Sequence, residues 1–468
     1  MKKKKFTIIL AFAIITLYFV IFPDNNVTFK EFLPSISQQT EDESEIYDVI
    51  RKQYTIDQSV QNGSICCGEF IIDESKYTTS YPPDGSCYFK DSLRKSGLPD
   101  LHSAFVDTIG DYVVFIGLQF STNKWSSRTF FCEFPDGERT INNPILEDKL
   151  SFGWLPQYII VITCELPKKY KTRLNFQMNF RILPSAKTNI NNVESGSEDT
   201  VAYDNLTVCQ TGSKQRHFLS MCTMVRDVDE FIPSWLQYHK YMGVEHVYIY
   251  DNAVNESNSS SLITSLREFI NSGFVTVVPW GHTKSPSKTY LEIQIAHEND
   301  CLWRHRHDSL WMIKTDVDEY IQPMDSKRPK ITDYLKDPKL YTLGGIRIQN
   351  WFFGRPLNST TRNGTIIERN IWRSKLPTIL NTGHDKNILR PMNVHYFKIH
   401  AIKLGSGHKT LDPVSELRMV HYRGDNPRHR SFKLPPFDVK DTTMVEIWKA
   451  VLKDKEGLTI PMPLDNEI

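Results

Sequence analysis

The sequence has no Cys-x-x-Cys pair, no internal repeat and almost no excess charge of either sign. The first absence argues against a structural zinc site, which draws its ligands from closely spaced thiolates. The second argues against a solenoid or propeller. The third removes the basic face that a nucleic-acid partner needs: 56 Lys and Arg stand against 55 Asp and Glu, a net charge of +1. Long apolar runs are also scarce, and the prominent one lies at the very start. No small-x-small cleavage pattern follows it, because it ends in the bulky Phe19-Val20-Ile21-Phe22-Pro23.

That run, Phe6 to Phe22, follows Lys2, Lys3, Lys4 and Lys5. As a helix rising 1.5 Å per residue it would span about 26 Å, close to the thinner bilayers of the early secretory pathway. Its length and flanks favour a retained signal anchor over a cleaved signal peptide. The lysines then stay cytoplasmic and the rest of the chain is lumenal. Asn-x-Ser/Thr sequons at Asn26, Asn62, Asn205, Asn255, Asn258, Asn358 and Asn363 agree with a lumenal body. So do eight cysteines, an even number able to pair in an oxidising compartment. Cys132 with Cys164 is the expected pair, since both lie in strand-rich segments of one domain; adjacent Cys66 and Cys67 are expected to take separate partners.

At 468 residues the chain has room for two or three domains. The pattern divides it into a tail (1–5), an anchor (6–22), a polar stem (23–45), a β-rich region with a linker (46–204) and an α/β region (205–468). In the β-rich region, Tyr112-Val113-Val114-Phe115-Ile116 and Tyr158-Ile159-Ile160-Val161-Ile162 read as strands. Residues 185–204 are polar and aperiodic, as a linker would be.

From about Arg216 strands and helices alternate. Phe218 to Val225 reads as a buried strand. A helix follows with Ile232, Trp235, Leu236 and His239 on one face, Pro233 in its first turn and Gly243 as its stop. Strand Val247–Tyr250, a helix from about Ser260 to Asn271, strand Phe274–Val278, a helix from Tyr290 to about His305 and strand Leu310–Lys314 complete the order. Such a βαβαβαβ order predicts a mostly parallel sheet that binds ligands at the carboxyl ends of its strands.

The fourth strand of that series ends in Thr315-Asp316-Val317-Asp318-Glu319-Tyr320. Two carboxylates spaced i, i+2 at a strand end can approach one hard divalent cation, Mg²⁺ or Mn²⁺, which bridges nucleotide phosphates. A lone Asp-x-Asp more often caps a helix or faces solvent; its place after a buried strand favours the metal. His421, late in the region, is a further candidate ligand, although a lone histidine is more often structural. Arg226, Asp251 and Asn252 lie at the exits of the first two strands, where a nucleotide would meet them. Turn formation explains Asp251-Asn252 equally well.

Several ordered motifs resemble glycosyltransferase family 92: Met221-Cys222-Thr223-Met224-Val225-Arg226-Asp227, Glu230 to His239, Gly243 to Asn252, Asn299-Asp300-Cys301-Leu302, Lys314 to Tyr320, Trp351-Phe352-Phe353-Gly354, Lys386 to Pro391 and His421-Tyr422-Arg423. Upstream, Ser103-Ala104-Phe105-Val106-Asp107 and the settings of Cys132 and Cys164 are also similar. Asn387 departs from the pattern, which more usually has Ser after the lysine.

The resemblance implies a GT-A fold behind a β-rich lumenal domain and a transmembrane helix, with Mn²⁺ or another divalent cation and a nucleotide-sugar donor. It also implies UDP-galactose as that donor, inversion at the anomeric carbon and a glycoprotein glycan as acceptor, in the Golgi membrane with single-pass type II topology. By position, Asp316, Asp318 and His421 become the metal ligands. Glu319 and Glu368 are the carboxylates considered as catalytic base. Two rival readings are weighed against this: a glycan-binding pseudoenzyme, which intact Asp316, Asp318 and His421 disfavour, and a metal phosphohydrolase, which Tyr320 and a lumenal body disfavour.

Overall fold

The β-branched and aromatic runs of the first half form two antiparallel sheets packed face to face. The computed structural model describes residues 71–73, 78–80, 93, 95, 98–107, 109–120, 125, 128–150, 157–183, 200–211, 216–253, 259–282, 290–355, 363–423 and 434–454. The anchor Phe6–Phe22, the stem and sequons Asn26, Asn62, Asn255, Asn258 and Asn358 lie outside them. No helix among the described residues is long and apolar enough to cross a membrane. Residues 60–468 make one compact unit.

A short hairpin comes first, β1 (Ile71–Asp73) with β2 (Thr78–Ser80). The following strands are β3 (Asp100–Asp107), β4 (Tyr112–Phe120), β5 (Phe130–Glu133), β6 (Arg139–Ile141), β7 (Leu146–Leu150), β8 (Gln157–Glu165), β9 (Asn175–Ile182) and β10 (Thr200–Cys209). They form one sheet in the order β3-β4-β8-β7 and another in the order β10-β9-β5-β6.

The continuous apolar runs of β4 and β8 have a simple cause: the sheet that holds them is buried on both faces. Val113 and Phe115 join Phe130 and Phe180 of the second sheet, with Phe115 and Phe180 stacked at 4.3 Å between centroids. Val114, Ile116 and Leu118, alternating with them, join Ile293 and Ala296 of the α/β region instead. The Cys132–Cys164 disulfide, with Cα atoms 6.2 Å apart, staples the two sheets as expected.

The α/β region begins with β11 (His217–Val225), α1 (Ile232–Tyr241), β12 (His246–Asp251), α2 (Ser259–Ser265), α3 (Arg267–Asn271), β13 (Val275–Pro279), α4 (Tyr290–Arg304) and β14 (Ser309–Lys314). All four strands and the face of α1 fall where periodicity puts them, and Ile232, Trp235, Leu236 and His239 are buried. Gly243 ends α1 at φ +98°, where a Cβ would also sit 2.7 Å from Thr332. The expected helix over 260–271 is broken at Leu266, whose φ of −104° and ψ of 5° leave the helical well as its side chain is buried. A second disulfide, Cys222–Cys301, fastens β11 to α4. Cys209 is also disulfide-bonded.

The chain continues through β15 (Glu319–Pro323), α5 (Ile331–Leu335), β16 (Gly345–Ile348), β17 (Asn350–Gly354), α6 (Ile366–Arg369), β18 (Trp372–Arg373) and β19 (Lys386–Leu389). Then come β20 (Val394–Lys398), β21 (Ala401–Gly405), β22 (His408–Thr410), β23 (Leu417–Tyr422), β24 (Val439–Lys440) and α7 (Thr443–Lys453). The central sheet has the order β13-β12-β11-β14-β19-β16-β22. It is mostly parallel, as the sequence predicts; β19 alone runs against the others. A smaller sheet, β15-β23-β17-β18-β24, lies beyond its carboxyl edge.

One boundary needs correction. The division at 204/205 falls inside β10, and residues 200–204, expected to be linker, pair with β9. The β-rich layers and the α/β region share an apolar cluster that runs from Phe105 and Ile159 to Tyr250 and Met312. Among the described residues, one face of the first sheet packs against α4.

Candidate active site

The turn after β14 and strand β23 together place four side chains, Asp316, Asp318, Glu319 and His421, at the carboxyl edge of the parallel strands. β15 leaves this turn antiparallel to β23, with Glu319 opposite His421, and the Tyr422 N–H donates to the Asp318 carbonyl at 2.9 Å. This register carries a histidine from a strand about a hundred residues later back to the acidic turn.

The four groups join a fifth in one chain of polar contacts. Asp318 Oδ2 lies 3.5 Å from His421 Nε2. His421 Nδ1 lies 3.2 Å from Glu319 Oε1. Lys386 Nζ lies 2.9 Å from Glu319 Oε2 and 3.3 Å from Asp316 Oδ2. The Asp316 N–H closes the turn by donating to Glu319 Oε2 at 2.9 Å, and Gln294 Nε2 donates to Asp316 Oδ1 at 3.4 Å. Buried Asn350 donates from Nδ2 to the His384 carbonyl at 3.1 Å and holds that nitrogen 2.8 Å from His421 Nδ1.

Burial and charge set the protonation of this chain. Burial would raise the Asp318 carboxyl, but the neighbouring His421 and Arg423 hold it below the ordinary carboxylate range. Burial pushes Glu319 above that range, against the pull of Lys386 and His421. Burial opposes the charge of Lys386, yet Asp316 and Glu319 keep its ammonium above the usual lysine value.

Glu319 is thus engaged at both oxygens and its side chain is 1% exposed, which leaves it no path to an acceptor hydroxyl. Glu368 is exposed and closes the capping box of α6, accepting from the Thr365 N–H and hydroxyl, each at 2.8 Å.

Asp318 Oδ2 and His421 Nε2 face each other at 3.5 Å, too long for a good hydrogen bond but a spacing two ligands of one cation adopt at bonds of about 2.1 Å. A hard oxygen with an imidazole nitrogen suits Mn²⁺ or Mg²⁺. Among the described residues no three His, Cys, Asp or Glu side chains group tightly enough to hold a metal by themselves. The protein therefore offers a two-donor arm, with Asp316 linked to it through Lys386.

Arg226, Asp251 and Asn252 do lie at the carboxyl ends of β11 and β12. Arg226 donates to Asn252 Oδ1 at 3.4 Å, and Asn252 Nδ2 donates to the Trp280 carbonyl at 2.7 Å. Asp251 caps the turn by accepting from the Ala253 N–H at 2.8 Å. Sequence reasoning missed Lys386, Asn350 and Gln294, and also His102 of β3. The His102 ring lies 4.4 Å from that of His282, which meets Trp280 at 4.2 Å, so the β-rich layer reaches this edge of the sheet. Sequons Asn205 and Asn363 are both exposed.

A mostly parallel sheet carrying an Asp-x-Asp turn and a late histidine at its carboxyl edge defines an α/β protein with its candidate site at that edge. The profile of glycosyltransferase family 92 matches residues 216–456, and the chain belongs to that family. A family 92 protein of Arabidopsis thaliana is 25% identical over 293 residues, covering 56% of this chain and 45% of the relative. One from Ricinus communis is 34% identical over 104 residues, and one from Oryza sativa is 31% identical over 108. Each of these two alignments covers 17% of the relative, so the chain matches less than half the length of the curated relatives.

Proposed function

We propose that this chain is a metal-dependent glycosyltransferase of GT-A type. It transfers a hexose, galactose from UDP-galactose, onto a glycoprotein glycan with inversion at the anomeric carbon. The observation that carries the reading is the convergence of Asp316, Asp318, Glu319 and His421 at the carboxyl edge of the parallel strands, inside the family-matched segment.

Asp318 and His421 would hold the divalent cation, with Asp316 as the third ligand; when bound, the cation supplies positive charge that stabilises a departing diphosphate. The chain's own residues prepare this. Glu319 Oε1, 3.2 Å from His421 Nδ1, orients the ring so that Nε2 faces Asp318. Asn350 Nδ2 lies 2.8 Å from the same Nδ1 and helps to fix the ring. Lys386 pairs with Glu319 in its buried position. Arg226, at the mouth of β11, supplies a guanidinium to the nucleotide half of the donor. The localisation that fits this activity is the Golgi membrane, with Phe6–Phe22 as a type II anchor.

A donor screen on the purified protein tests the reading. Nucleotide release should depend on Mn²⁺ and be greatest with UDP-galactose. Release from no nucleotide sugar, with or without Mn²⁺, would reject it.

A further inference from the structure

The one strand that runs against its six companions places a cation inside the acidic site. β19 is antiparallel to β14 with Asn387 opposite Lys314. Its first residue, Lys386, therefore lies one step beyond the carboxyl end of β14, level with the start of the acidic turn. A strand of the common sense would bring its last residue to this edge. Lys386 is paired to Ile348 of β16, which fixes its backbone from that side.

Its side chain is 3% exposed and reaches two carboxylates with one ammonium. The two contacts differ. Glu319, 1% exposed, is held at 2.9 Å; Asp316, 30% exposed, is held at 3.3 Å. Three carboxylates within one turn repel one another, and burial magnifies the repulsion. A buried ammonium touching two of them relieves it before any ligand arrives. The looser, more exposed arm is the one to Asp316, which is also the carboxylate at the open side of the site.

We propose that Lys386 is the resident counter-cation of this site: it holds Asp316 until a divalent cation takes that carboxylate, and so sets the site's affinity for the cation. The proposal rests on the metal reading of Asp318 and His421. Loading exchanges one ionic partner of Asp316 for another, and no covalent bond changes. The ammonium stays on Glu319, which continues to orient His421. Lys386 is a positioning residue here, acting through Asp316 and Glu319.

Direct Mn²⁺ titration of the metal-free full chain, followed by the paramagnetic signal of free Mn²⁺, tests this without any assay of turnover. Lys386→Gln should bind Mn²⁺ about tenfold more tightly than wild type, because the ammonium then no longer competes for Asp316. The same variant should melt lower than wild type when metal-free and recover on adding Mn²⁺. Lys386→Arg, which keeps the charge, should stay close to wild type. Adding Asp316→Asn to Lys386→Gln should erase the gain, since that carboxylate carries the coupling. Should Lys386→Gln fail to fold, the wild-type background still decides. There Asp316→Asn should cost less Mn²⁺ affinity than Asp318→Asn, because Lys386 already competes for Asp316. Equal or weaker binding by folded Lys386→Gln, or equal losses in the two aspartate variants, would overturn the proposal alone. A wild-type chain that binds no Mn²⁺ would overturn the metal reading and this proposal together.

Discussion

The central sheet buries a polar cluster at each of its edges, and the two clusters handle charge in opposite ways. At the amino edge, His217, His246 and Ser309 are the first residues of β11, β12 and β14. His246 is satisfied by the Gly273 carbonyl at 2.9 Å and by Thr276 Oγ1 at 3.0 Å. Asp308 accepts from Tyr248 at 3.2 Å and from Ser309 at 2.9 Å, and pairs with His305 Nδ1 at 3.0 Å. One carboxylate there has three partners. At the carboxyl edge, Asp316, Asp318 and Glu319 share Lys386 and His421. Stability alone favours the first arrangement; the second keeps negative charge unspent where a ligand enters. The difference agrees with the site proposed at the carboxyl edge.

Substitutions should therefore separate the edges by readout. The largest effect belongs to His421→Ala, which should lower Mn²⁺-dependent transfer by about a hundredfold with only a small change in melting temperature. An unchanged transfer rate in a steady-state assay would place this histidine with the structural ones and dissolve the contrast. At the other edge, Asp308→Ala strands the hydrogen-bond donors of Tyr248, Ser309 and His305. It should cost about 3 kcal/mol in urea unfolding while activity per folded molecule stays near wild type.

Acid gives a subtler separation. Burial pushes His217 down to about 4 and His246 down to about 3. A histidine that titrates near 6.5 when unfolded but near 3 when folded binds fewer protons in the fold between those values. Its contribution to stability is present above about pH 6.5 and is lost as pH falls toward 3. His246→Gln, which keeps a hydrogen-bonding side chain, should flatten the fall in unfolding free energy between pH 6.5 and pH 4 by up to about 1.4 kcal/mol per pH unit. Equal slopes for variant and wild type would mean that His246 does not carry the acid sensitivity of this edge. Smallest of all should be Glu368→Gln, whose carboxylate only caps α6. A stability loss of about 1 kcal/mol or less, and a transfer rate within about twofold of wild type, are expected. A large drop in rate at full stability would restore it as a base.

Much of this contrast was legible in the sequence, and the illegible part has physical reasons. The buried strands β11, β12, β13 and β14 are long apolar runs separated by amphipathic helices, so periodicity alone located them and the Asp316–Asp318 turn. The Cys132–Cys164 bridge followed from the strand-rich setting of both cysteines. Lys386 and Asn350 could not be found that way. They lie on strands of four and five residues whose apolar pattern is too short to reveal direction, and direction is what brings Lys386 to the ligand edge. Cys222–Cys301 was hidden because it joins a strand to a helix 79 residues later in sequence. The boundary at 204/205 failed for a related reason: a polar stretch reads as linker, yet its last residues pair with β9, and no local signal reports that pairing.

The account turns on the carboxyl edge being a cation-dependent nucleotide site. Calorimetric titration of UDP into the full chain, with and without Mn²⁺, addresses this most directly when wild type is set beside Asp318→Asn. That substitution nearly keeps the side chain's shape while removing its charge. Wild type should bind UDP only when Mn²⁺ is present, and Asp318→Asn should lose that binding with a melting temperature unchanged or slightly raised. Wild-type-like, Mn²⁺-dependent UDP binding by Asp318→Asn would contradict the account, and would leave the acidic turn as a feature of the fold alone.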